Sequence, residues 1–284
     1  MRDDFAVFIL SHGRPDKIRT VKTLEKCGYT GKWYFICDNE DTTIDDYIHK
    51  FGKDKVIIFD KLYASTITDS MDSINKRNTI VYARNMCYEI AKTLNLSYFL
   101  ELEDDYNLFE YRYEENDKLM TQNVTNLDSI IDCMIDYLDS TNILTVAFGQ
   151  DGDLIGGKNS NLYISRVLRK AMNSFFCKVD RPFKFSGRMN DDVNTYVNLG
   201  SKGYVFLTIS DIVLNQVPTQ SNSSGNTDMY KEFGTYVKSF YSVMSNPSSV
   251  KISDMGHSHR RIHHLINWTN AVPKILSSKF KKYS

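Results

Sequence analysis

Phe5-Ala6-Val7-Phe8-Ile9-Leu10 is an uninterrupted apolar run close to the N-terminus. A strand with one wet face alternates between apolar and polar residues, whereas a strand covered on both faces does not. The run therefore predicts a buried parallel strand. Parallel strands must be joined by crossovers long enough to hold a helix, and the next fifty residues supply them. Ser11-His12-Gly13-Arg14-Pro15-Asp16 reads as a turn. Lys17 to Cys27 carries Ile18, Val21 and Leu24 at helical spacing, and Gly28 stands where a C-cap is expected. Trp33-Tyr34-Phe35-Ile36-Cys37 is a second strand, ending at Asp38-Asn39-Glu40. Thr43 to Phe51 is a short helix, and Lys55 to Asp60 a third strand. The pattern is βαβαβ with right-handed crossovers, a mononucleotide-binding arrangement. Ligands in such sheets lie beyond the carboxyl ends of the strands. Here those ends are Ser11 to Asp16, Asp38 to Glu40, and Asp60.

A further strand, Tyr98 to Leu102, runs into three consecutive carboxylates, Glu103, Asp104 and Asp105. Like charges at a strand end repel, so the fold needs a reason to gather them. A hard divalent cation bridging carboxylates to substrate phosphates is one reason; a solvated turn is the plain alternative. Ser73 to Leu94 reads as the strongest helix, with Ile80, Ala83, Cys87, Ile90, Ala91 and Leu94 as its apolar stripe. Arg77 and Arg84 then fall on one line, placed either to hold a diphosphate or to face solvent.

Leu108 to Asp117 is aromatic and acidic and suggests a ribbon; Leu127 to Leu138 is an amphipathic helix and Ile143 to Phe148 a strand. Gly149 to Gly157 is glycine-rich but lacks the phosphate-loop lysine. Gly156 and Gly157 suit close backbone approach to a ligand, or a flexible connection. Two more strands, Ser174 to Asp180 and Gly203 to Ile209, flank a segment ending in Asp191 and Asp192, just before a helix-like Val193 to Leu199. Residues 217 to 228 are a Ser/Asn/Thr/Gly loop. From Val250 onward seven Lys and Arg face only Asp254, a local charge of plus six, and His257, His259, His263 and His264 are four of the six histidines. That cluster suggests contact with metal, phosphate or nucleic acid, or a solvated basic tail.

Formal net charge is zero, so no global field recruits nucleic acid and any basic surface is local. Five scattered cysteines without CxxC spacing argue for reduced thiols rather than a disulfide or zinc framework. Asp3 and Asp4 and the short apolar runs lead us to expect neither a signal peptide nor a membrane span.

The βαβαβ start, the helix with Tyr82-Ala83-Arg84-Asn85 and the Glu103-Asp104-Asp105 strand end together resemble a GT-A glycosyltransferase. Glu103 replaces the usual first Asp of the Asp-x-Asp motif. Phe8 to Asp16, Arg166 to Tyr196, Leu214 to Asn222, Gly234 to Phe240 and His259 to Leu276 resemble, more closely, the TET/JBP-associated glycosyltransferases, found largely in bacteriophages. The resemblance implies an α/β, GT-A-like fold with a Rossmann-like mixed sheet flanked by helices. It divides the chain into a catalytic domain, 1–250, with a nucleotide-sugar half (1–106) and an acceptor half (107–250), followed by a basic segment, 251–284, packing back on the site.

The implied reaction is transfer of a sugar from a nucleotide sugar, a UDP-sugar, to a 5-hydroxymethylpyrimidine in DNA, first of all 5-hydroxymethylcytosine. It would be assisted by manganese or magnesium in the cytoplasm of an infected bacterium, without an obligate protein partner. On this reading Asp192 is the base that activates the acceptor hydroxyl, with Asp191 as its alternate. Ser11, His12, Gly13, Arg14, Asp38, Glu40, Arg77, Arg84, Glu103, Asp104, Gly156 and Gly157 bind the nucleotide sugar. Arg188, Asn190, Gln216 and Gln220 meet the acceptor, and Asp105 with His259 or His263 holds the metal. Competing readings are a GT-A enzyme acting on a glycan or protein, a nucleotidyltransferase, and a non-catalytic DNA-binding module.

Overall fold

The computed structural model describes residues 1–154, 156–160, 170–216, 229, 232–234, 236–255 and 261–273. Its main sheet contains β1 (Phe5–Leu10), β2 (Lys32–Asp38), β3 (Val56–Phe59), β4 (Tyr98–Glu103), β5 (Tyr106–Glu115), β6 (Lys118–Asn123), β7 (Thr145–Gln150), β8 (Phe175–Lys178) and β9 (Phe206–Gln216). Their spatial order is β3-β2-β1-β4-β8-β7-β9-β5-β6. β1 to β4 are mutually parallel. β8 lies antiparallel between β4 and β7, and β9 runs parallel to β7. The carboxyl ends of β1 to β4, β7 and β9 therefore share one edge of the sheet, where the sequence placed the ligand.

The helices are α1 (Thr20–Lys26), α2 (Ile44–Phe51), α3 (Lys61–Thr66), α4 (Val81–Thr93), α5 (Leu127–Ser140), α6 (Asp191–Ser201) and α7 (Val237–Ser245). Alternation along β1 shows how they sandwich the sheet. Ala6, Phe8 and Leu10 pack with Val81 and Cys87 of α4 and Val193 of α6. Phe5, Val7 and Ile9 pack with Leu24 of α1, Tyr47 of α2 and Ile131 of α5. Both faces are dry, which is why the run has no polar positions. The chain thus has the expected α/β class, with a mixed, Rossmann-like sheet flanked by helices. β10 (Val250–Met255) and β11 (Arg261–Ile266) form a separate antiparallel ribbon against α7. Trp268 beyond it stacks on Tyr196 of α6, with ring centroids 5.8 Å apart. No helix among the described residues is long and apolar enough to cross a membrane.

Three expectations need correction. The strand foreseen as Gly203 to Ile209 is Phe206–Gln216, long enough to pair with both β7 and β5. Asp191 and Asp192 are not ahead of a helix but form its first turn. The helix foreseen from Ser73 begins only at Val81. Its missing first turns have lost their hydrogen-bond partners to a tertiary clamp. Arg188, 1% exposed, ion-pairs with Asp72 (Nε to Oδ2, 2.7 Å) and donates to the carbonyls of Ile74 (2.9 Å) and Lys76. Asp72 in turn caps the Ile74 amide (2.9 Å) and accepts the Tyr241 hydroxyl. Carbonyls taken by a guanidinium are withdrawn from the i+4 ladder. Arg77 consequently leaves the line of Arg84 and pairs with Glu40 (Nε to Oε1, 2.8 Å).

Arg188→Met should lower unfolding stability by about 3–5 kcal/mol, because it leaves the half-buried Asp72 without its partner. Denaturant titration of Arg188→Met, Asp72→Asn and the double variant checks this. Additive losses would show that the two side chains do not act as a pair.

Candidate active site

Period 2 builds the centre of the site. Phe99 of β4 packs on the α4 side of the sheet, while Tyr98, Leu100 and Leu102 pack on the other. Glu101 and Glu103 therefore follow Phe99 onto the face covered by α4. Arg84, near the start of α4, meets both: its guanidinium lies 3.3 Å from Glu101 and 3.1 Å from Glu103. Its Nε is 2.9 Å from Asp191 Oδ2, an ion pair lying off the hydrogen-bond direction. The rings of Phe175 and Phe185 close over the guanidinium at 4.9 and 5.4 Å. Arg84 is 2% exposed, so it serves these carboxylates from inside the protein.

The turn after β1 lines the neighbouring end. Asp104 accepts the Ser11 hydroxyl and Arg14 Nε at 2.8 Å, while its Oδ1 is buried without a hydrogen-bond partner. Ser11 also shares a hydrogen bond with the Tyr47 hydroxyl (2.6 Å). His12 Nδ1 lies 2.8 Å from Asp38 Oδ2, and Lys61 Nζ lies 3.1 Å from the other Asp38 oxygen. Gly13, at φ +71°, donates its amide to Asp41 (2.8 Å), a conformation glycine adopts readily. Glu40 and Arg77 face each other rather than a common ligand.

Gln216 at the end of β9 donates to Glu103 (2.7 Å) and Asp105 (2.9 Å), held from behind by Asn173 (3.0 Å). Burial pushes Glu101 up to about 8 and Glu103 up to about 7, against the opposing pull of Arg84. Burial also raises Asp104, against Arg14.

Across Arg84 stands the start of α6. Asn190 precedes it in the left-handed region (φ 50°, ψ 37°), which asparagine tolerates better than most residues. A tight turn delivers it. Gly187 lies at φ +90°, and a Cβ there would come within 2.2 Å of the Asn194 amide, which holds the carbonyls of Ser186 (3.2 Å) and Met189 (3.0 Å). Asn190 Nδ2 reaches the Lys238 carbonyl (3.0 Å), Ser242 (3.1 Å) and His264 Nδ1 (3.2 Å). Burial raises Asp191 to about 6 and also raises Asp192. Asp191 is turned to Arg84, while Asp192 accepts the Val193 amide (2.7 Å) and is drawn towards its charged form first by Arg84 and less by Lys170 and Lys238.

One edge thus assembles Ser11, His12, Gly13, Arg14, Asp38, Glu40, Arg84, Glu103, Asp104, Asp105, Asp191, Asp192, Asn190 and Gln216. Arg188 is taken up by the Asp72 clamp. Gly156 and Gly157 take positive φ in a loop beside the β5–β6 hairpin, where Lys158 pairs with Asp117 (2.7 Å). His263 lies on β11 with Nδ1 donating to the His264 carbonyl (2.9 Å). Gln220 and His259 fall outside the described residues. Sequence reasoning missed Glu101, whose signal was its place two residues before Glu103. It also missed Lys61, Asp41, Tyr47, Lys170, Lys238 and the contact of His264 with Asn190, none of which carries a local signal.

A family model described as TET-associated glycosyltransferase matches residues 5–225. No curated protein matches the chain. Among solved structures, glucosyl-3-phosphoglycerate synthase from Mycobacterium tuberculosis, bound to Mn2+, UDP and phosphoglyceric acid, is similar at 9% identity and TM-score 0.48, covering 93% of this chain and 87% of that one. A mannosyltransferase from Pyrobaculum calidifontis, bound to GDP-mannose and Mn2+, is similar at 10% identity and TM-score 0.47, covering 87% and 74%.

The raised carboxyls make stability depend on pH with a definite sign. A carboxyl whose folded value exceeds its unfolded one keeps its proton only in the folded state, so stability falls as pH rises through the folded value. Between pH 6.5 and 8.5, where Glu103 and Glu101 titrate, unfolding stability should fall by on the order of a few kcal/mol. His264, held near 3 by burial, acts in the opposite sense but below this window. Glu101→Gln should flatten the profile; a denaturation midpoint in that variant as pH-dependent as the wild type's would remove Glu101 from the explanation.

Proposed function

The chain belongs to the TET-associated glycosyltransferases, and on that premise we propose that it moves a sugar from a nucleotide sugar to the hydroxymethyl group of a 5-hydroxymethylpyrimidine in DNA, 5-hydroxymethylcytosine first of all. The observation that carries this reading is the pair Asp191–Asp192 at the start of α6, joined through Arg84 to the acidic end of β4. It sets a base for an acceptor hydroxyl beside carboxylates suited to a donor diphosphate. The 1–106 half supplies the donor side and the 107–250 half most of the acceptor side.

The donor set suits a divalent cation. Glu103, Asp104 and Asp105 offer hard oxygen ligands, and Asp104 Oδ1 is buried without a hydrogen-bond partner. No three His, Cys, Asp or Glu side chains among the described residues converge to hold a metal ion by themselves. Asp105, aided by Asp104 or Glu103, would therefore hold manganese or magnesium together with donor phosphate oxygens. Held there, such an ion would supply positive charge to offset that growing on the departing diphosphate. Arg14 and Arg84 keep the carboxylates oriented. Ser11, His12, Gly13 and Asp38 border the base and ribose of the donor, a UDP-sugar on the family's pattern.

Asp192 acts as the base. The hydroxymethyl oxygen bonds to the anomeric carbon as the sugar's bond to the diphosphate breaks, and the hydroxyl proton passes to Asp192. Asp191 is already engaged by Arg84, which leaves Asp192 the better placed of the two. Burial raises both acids, Asp191 to about 6, which suits either as a base.

The deciding assay offers UDP-sugars and manganese with DNA that either contains or lacks 5-hydroxymethylcytosine. Transfer should require the modified base, and transfer to glycans or proteins instead would overturn the acceptor assignment. Asp105→Asn should cut divalent-dependent donor cleavage by orders of magnitude while leaving the thermal midpoint equal or higher; full cleavage in chelator-treated buffer would remove Asp105 as a ligand. Asp192→Asn should bind the nucleotide sugar normally yet transfer about 10²–10⁴-fold more slowly. A larger loss in Asp191→Asn would move the base to that residue.

A further inference from the structure

The sequence assigned Gln216 to the acceptor, and the hydrogen bonds around it leave it little to offer one. Its side-chain amide has two hydrogens. One goes to Glu103 Oε2 (2.7 Å) and the other to Asp105 Oδ1 (2.9 Å). An ionised carboxylate only accepts, so the nitrogen must face the acids and the amide oxygen must turn away. It turns to Asn173, whose Nδ2 donates to it at 3.0 Å. Asn173 is held in its turn. It stands in the left-handed region (φ 61°), and its carbonyl accepts the hydroxyl of Tyr106, which is fully buried. Tyr106 faces Gln216 across the β5–β9 ladder, where β5 carries one extra residue, Asn107. Such a bulge re-aims the side chains beside it. The ring of contacts closes, because Tyr106 follows Asp105 directly in the chain.

We propose that Gln216, keyed by Asn173, is a positioning residue for a divalent cation: it aims the Asp105 carboxylate at the ion and ties it to Glu103. The inference rests on the divalent-cation reading above. What points to an ion is the choice of an amide. Glu103 and Asp105 are like charges two residues apart at one strand end, and something must hold them together. Arg84 meets Glu103 and Arg14 meets Asp104, and a guanidinium offsets the charge that it holds. Gln216 carries no charge, so it orients Asp105 without cancelling what an ion would meet. Hydrogen bonds to a ligating carboxylate fix its direction, and losing one typically weakens metal binding about ten- to a hundredfold.

The test titrates Mn2+ in the presence of UDP by electron paramagnetic resonance, which reads the bound ion without turnover. Wild type is compared with Gln216→Met, which keeps the length of the side chain and loses the amide. A second variant, Asn173→Gly, keeps the left-handed backbone and loses only the key. The Kd for Mn2+ should rise about ten- to a hundredfold in Gln216→Met and by a smaller factor in Asn173→Gly. The double variant should lose no more than Gln216→Met alone, since Asn173 acts through Gln216. Transfer to a 5-hydroxymethylcytosine oligonucleotide should fall with the affinity for the ion and recover at saturating Mn2+.

Unchanged Mn2+ affinity in Gln216→Met would overturn the proposal. So would a raised oligonucleotide KM that saturating Mn2+ does not restore, the result expected of an acceptor contact. Should Gln216→Met fail to fold, Asn173→Gly decides, and a wild-type Kd for Mn2+ in that variant overturns the proposal. A wild type that binds UDP but takes up no Mn2+ would sink the divalent-cation reading itself, a result distinct from these.

Discussion

A buried guanidinium organises this protein. Arg84 is enclosed by two aromatic rings and three carboxyl groups, and its charge is tolerable inside only because they face it. Glu101 and Glu103 come from the central strand and Asp191 from a helix nearly ninety residues later. One side chain therefore fixes the distance between the acids that end β4 and the acid that begins α6. Removing either end leaves uncompensated charge in the core, so the spacing cannot drift cheaply.

The carboxylates outnumber their guanidinium partners. Glu101, Glu103, Asp104, Asp105, Asp191 and Asp192 share Arg84 and Arg14, and Glu101, Glu103, Asp104, Asp191 and Asp192 are raised. Burial is the largest cause in each case, with the remaining charges adding or opposing. A site held in this condition is costly to fold and receptive to positive charge. It is also buried, so hydrogen bonds and charges act there at more than their strength in water.

The segment from Asp69 to Ile80 spans the same edge as a strap. Glu40 holds it at Arg77, Arg188 and Tyr241 hold it at Asp72, and Glu232 meets Lys76 (2.8 Å). It ties the turn after β2 to α6 and α7, joining the two halves of the site independently of Arg84. Its backbone is irregular because side chains from distant parts of the chain satisfy its polar groups.

Much of this was legible in the residue order. The unbroken apolar run at Phe5–Leu10, the helical spacing after it and the carboxylates closing Tyr98–Leu102 set a parallel sheet with acids at its ligand edge. Short-range periodicity is a local property, and burial on two faces leaves a mark that needs no partner to be read. The body of the Arg84 helix, though not its start, and a ribbon after Tyr106 were visible for the same reason, while Asp191 and Asp192 were read as preceding a helix whose first turn they form. What only the tertiary structure decided were the pairings: Arg84 with Asp191, Gln216 with Glu103 and Asp105, Arg188 with Asp72, and His264 with Asn190. These contacts bridge long stretches of chain, so no spacing encodes them. Where they compete with local order they win: Arg188 takes the carbonyls of Ile74 and Lys76 and ends a helix that the sequence alone would have begun at Ser73.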